Sequence, residues 1–233
     1  MDKINNLKAI AMLQDGLNEI ITTEWKTNRT REEFQLESNL ELSEFIEMCP
    51  HKFWRNECSR NVKADWFLEE RYKVRVDKAK LEIVDILHFA LSGAILDKDD
   101  LDIVPLYNPI KKVKANEVYN ELCFKILSFN WMVVIYQLIV IANLLGFDII
   151  SFYIAKHTLN HIRQLRGMGE GKYDKHKFGR EDNDILLECI STDFTGNQLF
   201  DEFDLDKYER LVSDVYSKFE IDTQDRKLLK SYL

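Results

Sequence analysis

Two pairs of acids set the chemistry that this chain can do: Glu41-Leu-Ser-Glu44 and Glu82-Ile-Val-Asp85. Each pair is spaced i, i+3 within an apolar pattern of helical period, and residues three apart share a helix face. Two such helices packed with those faces together would bring four carboxylates into one cleft. Such a group stays ionised only beside a compensating cation. For an all-oxygen ligand set that cation is Mg²⁺ or Mn²⁺, ions used most often to handle phosphate. Acids set among Leu40, Phe45 and Ile46, or among Leu81, Ile83, Val84, Ile86 and Leu87, call for a function, because an uncompensated buried carboxylate is costly. A structural reading of Glu41 stands beside this one. Ser38-Asn-Leu-Glu41 matches a capping box, in which the glutamate only bonds the serine amide.

Other ligand sets fit less well. Asp85-Ile-Leu-His88 could be half of a di-iron carboxylate bundle, but the Glu41 helix offers no second carboxylate–histidine pair. His157 and His161 have i, i+4 spacing suited to zinc and lack an evident third ligand. A second constellation lies downstream, where Lys156, Asn160 and Arg163 form one helical stripe. A glycine-rich segment follows, with Lys172, Lys175, Lys177 and Arg180. Cations so grouped suit anionic oxygens. Metal on one side and cations on the other would suit a triphosphate.

The elements that position these residues must be helices. The 233 residues hold eight glycines and three prolines, too few for many strands and tight turns. Helices are expected over 3–24, up to Pro50, over 65–96, and as two further rods over 115–146 and 148–165. Acidic helices are expected after Glu181. Four of the glycines fall between 167 and 179, marking a flexible loop. The chain is expected to form one all-α, multi-helix domain over 1–233, with a core over about 1–165 and a loop and C-terminal helices over 166–233.

A net charge of −8 argues against a nucleic-acid polymer as partner. It does not argue against a free nucleotide, since bound metal reverses the local sign. Cys49, Cys58, Cys123 and Cys189 show no C-x-x-C spacing and no signal peptide precedes them, so reduced thiols in the cytoplasm are expected. On that footing the Asn28-Arg-Thr30 sequon is accidental. No charged residue lies between Lys125 and Asp148, a length that could span a bilayer. Ser128, Asn130, Gln137 and Asn143 interrupt it, and Gly146 ends it like a helix C-terminus. The segment therefore reads as a buried central or dimer-interface helix, not a membrane span.

Six pieces, in order, resemble the dimeric all-α dUTPase family, within the all-α nucleoside triphosphate pyrophosphohydrolases related to MazG. They are Leu13-Gln14-x-x-Leu17-Asn18, Glu41-x-x-Glu44-Phe45-Ile46-Glu47, Lys52-Phe53-Trp54-Arg55, Glu82-Ile83-Val84-Asp85-Ile86-x-His88-Phe89, Lys156-x-x-Leu159-Asn160-x-x-Arg163-Gln164 and Gly179-x-Glu181-Asp182-Asn183. The resemblance runs from Leu13 to about Leu187. It implies a homodimer with an acidic metal-binding core that releases dUMP and pyrophosphate from dUTP, with dUDP as a further candidate substrate.

By the same resemblance Glu41, Glu44, Glu82 and Asp85 would hold Mg²⁺. Gln14 and Asn18 would read uracil with Trp54 and Arg55 nearby, while Phe89, with His88 beside it, would pack on the nucleoside and exclude a 2′-hydroxyl. Asn160 would hold the sugar, and Lys156, Arg163, Lys172 and Lys175 the phosphates, with Asn183 close by. Glu44 is the expected general base. Leu87, His51 and Phe178 depart from the family pattern, as does Met168-Gly-Glu170, which sets an acid near the expected phosphates. Two other readings are a MazG-like hydrolase of another triphosphate such as dCTP, and a helical interaction module without catalysis.

Overall fold

The computed structural model describes residues 4–49, 73–111, 113, 115–176, 179–190 and 201–221. Among them no strand forms beyond one isolated bridge, Asn5 with Glu202. The chain is all-α, as expected. It divides into two compact units interleaved in sequence: residues 1–29, 150–193 and 198–233 in the first, 30–149 and 194–197 in the second.

The second unit consists of α3 (Arg31–Met48), α4 (Lys73–Asp97), α5 (Ala115–Leu127) and α6 (Trp131–Leu145). Helix α3 packs on α4, α4 on α6, α6 on α5 and α5 back on α3, so the four close on one another. Helix α3 starts at a capping box on Thr30, well before Ser38. Glu33 N–H donates to Thr30 Oγ1 at 3.3 Å, and Thr30 N–H to Glu33 Oε2 at 2.7 Å. Two orphan amides are thereby satisfied, and Glu32 and Glu33 sit favourably at the positive end of the dipole. Ser38 is thus interior and buried, and the capping role considered for Glu41 is removed.

The uncharged stretch forms a buried helix, with 12 of the 15 residues of α6 buried, and among the described residues no single helix is long and apolar enough to cross a membrane. The one rod expected over 115–146 is instead two helices. The chain breaks at Ser128–Asn130, with Phe129 in the left-handed region at φ 52°. Ser128 Oγ donates back to the Phe124 carbonyl at 2.8 Å. Gln35 of α3 donates to the Ile126 and Leu127 carbonyls at 3.4 and 3.1 Å, and the Arg31 guanidinium lies 3.7 Å from the Phe129 ring centre. These contacts add to the backbone bonds at the end of α5 and give the Leu127 carbonyl a side-chain donor. Buried Gln137 ties the proline-bounded segment to α6. It accepts from Ile110 N–H at 3.0 Å and donates to the Asn108 carbonyl at 2.7 Å. Helix α4 comes so close to Trp131 that a Cβ on Gly93 would lie 2.3 Å from the indole.

The first unit consists of α1 (Asn6–Ile21), α2 (Trp25–Asn28), α7 (Ile149–Leu165), α8 (Asp182–Leu187) and α9 (Leu205–Lys218). Helix α1 is capped by Asn5, whose side chain accepts from Lys8 N–H at 2.9 Å. Helix α7 gives way at Gly167 (φ 80°) to a single 3₁₀ turn, Met168–Glu170, closed by Gly171 (φ 68°). Both glycines occupy backbone conformations that a side chain would strain.

Candidate active site

In the second unit, Glu41 of α3 and Glu82 and Asp85 of α4 each offer a carboxylate oxygen within 4.8 Å of the other two. All three are half-buried. The burial pattern of α4 shows why they can act. From Leu81 to Ala94 every residue is buried except Glu82, Asp85 and Phe89, whose spacing of three and four keeps them on one stripe. That stripe is the one line along which this stretch meets solvent. Three acids so close repel one another, and their oxygens have the chemistry and spacing to ligate a divalent cation. Glu44 lies one turn beyond Glu41, exposed and outside this group. His88 is buried on α4, three residues past Asp85. Trp54 and Arg55 lie outside the described residues.

The first unit carries a different set of polar groups. On α1, Gln14 and Asn18 are buried one turn apart, and Gln14 Nε2 donates to Asn18 Oδ1 at 2.9 Å. Tyr153 of α7 donates its hydroxyl to Gln14 Oε1 at 2.8 Å and approaches the Ile10 carbonyl at 3.1 Å. Further along α7, Arg163 is 6% exposed and forms a bidentate pair with Asp182, at 2.9 Å from Nε and 2.8 Å from an amino nitrogen. It also donates to Asn160 Oδ1 at 3.0 Å and to Asn183 Oδ1 at 3.3 Å. Lys156 adds a bond to Asn183 Oδ1 at 3.1 Å, and Tyr173 donates to Asp182 Oδ2 at 2.9 Å.

Burial alone would raise the Asp182 carboxyl. The hydrogen bonds and charge of Arg163, the Tyr173 hydroxyl and the charge of Lys156 together outweigh it and hold the group below the usual carboxylate value. Burial, with the bond to and charge of Asp182, pushes the Tyr173 phenol up to about 12. The guanidinium thus serves protein acceptors and orients two amides, with both Asn160 and Asn183 turning an oxygen toward it. Lys172 and Lys175 lie exposed on the glycine-rich loop. Lys172 pairs with Glu170, the acid that departs from the family pattern.

Tyr153, Asp182 and Tyr173 are not among the site residues expected from sequence. Tyr153 had a signal, since it extends the Lys156–Asn160–Arg163 stripe by one turn at i−3. Asp182 stands beside Asn183 and was masked by it. Tyr173 sits between the loop lysines and carries no pattern of its own.

These features define an all-α protein with a carboxylate cluster on a partly open helix stripe and a separate set of oriented amides and cations. A family model described as dUTPase matches residues 6–168, and the chain belongs to this dUTPase family, which is of the all-α type. It is an enzyme of dUTP hydrolysis, a dUTP diphosphatase. No curated protein matches the chain.

Proposed function

We propose that this enzyme hydrolyses dUTP to dUMP and pyrophosphate with a divalent metal, Mg²⁺ by preference and Mn²⁺ as a substitute, held by Glu41, Glu82 and Asp85. The observation that carries the proposal is the meeting of these three carboxylates within 4.8 Å. Bound there, the cation would offset triphosphate charge and make water more acidic. Glu41 of α3 brings its carboxylate to Glu82 and Asp85 on the α4 stripe that also presents Phe89. Glu44, one turn away and more exposed, takes the proton from the attacking water as general base. No covalent intermediate on the protein is required.

Gln14 and Asn18 read the uracil edge, and Phe89 packs on the nucleoside with buried His88 supporting that turn of α4. Asn160 holds the sugar, and Lys156 with the Lys172 and Lys175 loop meets phosphate oxygens. Arg163, already bidentate to Asp182, acts by fixing Asn160 and Asn183. A homodimer is part of the proposal. Leu36 and Leu40 of α3 and Phe124 and Leu127 of α5 are each about half or more exposed, and apolar side chains in such numbers favour a partner surface. The free thiols of Cys123 and Cys189 suit a cytoplasmic location.

The test is steady-state release of dUMP and pyrophosphate with Mg²⁺, compared across dUTP, dCTP and dTTP. Preference for dUTP and loss of turnover in EDTA are expected. Equal rates on the three substrates would defeat the uracil assignment, and turnover unaffected by EDTA would defeat the metal.

A further inference from the structure

Helix α1 has two sides of opposite character. Gln14 and Asn18 lie buried on one. Half a turn round the helix axis run Met12, Gly16 and Ile20, spaced i, i+4, i+8, with Met12 41% and Ile20 43% exposed. Along this line α1 and α2 border a groove of about 700 Å³, whose lining includes Met12, Asp15, Gly16, Glu19, Glu24 and Trp25. Gly16 puts no side chain into it, so another chain can come close to the α1 backbone there.

The groove's walls are tied together by side-chain bonds. Asp15 accepts from Trp25 Nε1 at 2.8 Å and from Lys26 Nζ at 2.7 Å. Glu19 Oε1 accepts from Glu24 N–H at 2.8 Å, where Glu24 stands in the left-handed region at φ 56°. A corner fixed in this way loses little freedom on association. Its charge is uneven. Lys26 answers Asp15, and Glu19 uses one oxygen on a backbone amide. The Glu24 carboxylate takes no hydrogen bond or ion pair from a described residue. Two negative charges therefore border an apolar line.

We propose that this groove is a docking site for an amphipathic helix of another protein, one that carries lysine or arginine beside its apolar stripe. The groove's own chemistry selects that occupant. Its walls are helical and offer no open backbone edge to an extended strand, whereas a docking helix brings its backbone bonds already made. Aliphatic side chains one turn apart would seat against Met12 and Ile20 on either side of Gly16, and the cations would meet Glu19 and Glu24. A second copy of this chain would set the same acids against each other about a two-fold axis. Nucleic acid or an anionic membrane would meet the same repulsion, in a chain of net charge −8.

The probe is a synthetic amphipathic helix of about 20 residues, with a leucine stripe flanked by lysines. It is labelled for fluorescence anisotropy and titrated with the full chain. A twin peptide has glutamates in place of the lysines. Saturable binding of the lysine peptide and none of the twin is expected. In variants whose helical circular dichroism matches the wild type, Ile20→Ser should weaken binding about tenfold, the worth of one aliphatic anchor. Glu24→Lys should weaken it about threefold at low salt and less at high salt, as for an exposed charge. Leu106→Ser, at a fully exposed loop residue of the second unit, should bind as the wild type does. A loss at Leu106→Ser equal to that at Ile20→Ser would mean a general affinity for exposed apolar side chains and would overturn the site. Equal binding of the two peptides, wild-type affinity in both Ile20→Ser and Glu24→Lys, or no saturable binding would overturn it too.

Discussion

The carboxylate cluster on α3 and α4 and the amide–guanidinium network on α7, the loop after it and α8 are both polar sites in helical surroundings, yet they are balanced in opposite ways. Glu41, Glu82 and Asp85 are like charges drawn together, an arrangement that stores repulsion for a cation to relieve. Arg163, Asp182, Tyr173, Asn160, Asn183 and Lys156 satisfy one another through named bonds. The first site has the oxygens and the spacing to ligate a cation. The second is built to hold fixed directions whatever binds. Function and stability should therefore separate between them: damage to the cluster should cost turnover and spare the fold, while damage to the network should cost the fold.

The largest effect is expected at the cluster. Glu82→Gln or Asp85→Asn should lower kcat about a thousandfold, several kcal/mol of charge stabilisation, while the melting temperature stays level or rises as repulsion is relieved. A fall in melting temperature with turnover intact would erase the contrast. Next comes Arg163→Ala, which leaves Asp182 as a buried unpaired charge and should cost about 3 kcal/mol or more in denaturant unfolding. Arg163→Lys should recover little, since an ammonium cannot serve the bidentate pair and two amides. Full recovery would show that only charge matters there. Smaller again is Gly93→Ala, where the added methyl meets the Trp131 ring and should cost about 1–3 kcal/mol through overpacking, read by urea melts. The smallest is Thr30→Ala, about 1 kcal/mol from a lost cap.

The network also predicts a pH dependence of stability. Asp182 has its folded value held below the ordinary 3.8, so its contribution is fully present above that pH and lost as pH falls through the lower folded value. Tyr173 has its folded value raised from 10.0 to about 12. Its contribution is complete below pH 10 and lost as pH climbs through 12. Chemical-denaturation curves across these two windows should show both losses, and Tyr173→Phe should remove the alkaline one. An alkaline loss unchanged in that variant would place its source elsewhere.

The two sites also differ in how far sequence exposes them. The cluster was legible, since i, i+3 acids inside apolar runs are a local pattern and α3 and α4 form where that pattern runs. What misled was also local. Ser38-x-x-Glu41 and Thr30-x-x-Glu33 both fit a capping box, and only the start of α3 decides between them. Nor did the acids' spacing tell that Glu44 stays exposed outside the triad. The break at 128–130 was hidden because Arg31 and Gln35, some ninety residues away in sequence, hold it open. The network was legible only as a stripe of Lys156, Asn160 and Arg163. That Arg163 faces Asp182, and that Tyr153 aims at Gln14, are tertiary facts without a periodic signature. The Trp54-Arg55 motif lies outside the described residues.

The central claim, that Glu41, Glu82 and Asp85 together hold a divalent cation, is tested most directly by calorimetric titration of Mn²⁺ into metal-free protein, wild type against Glu82→Gln. The account predicts saturable binding to the wild type and its loss, or a weakening of about tenfold or more, in a variant that remains folded. Equal affinity in the two proteins would contradict it.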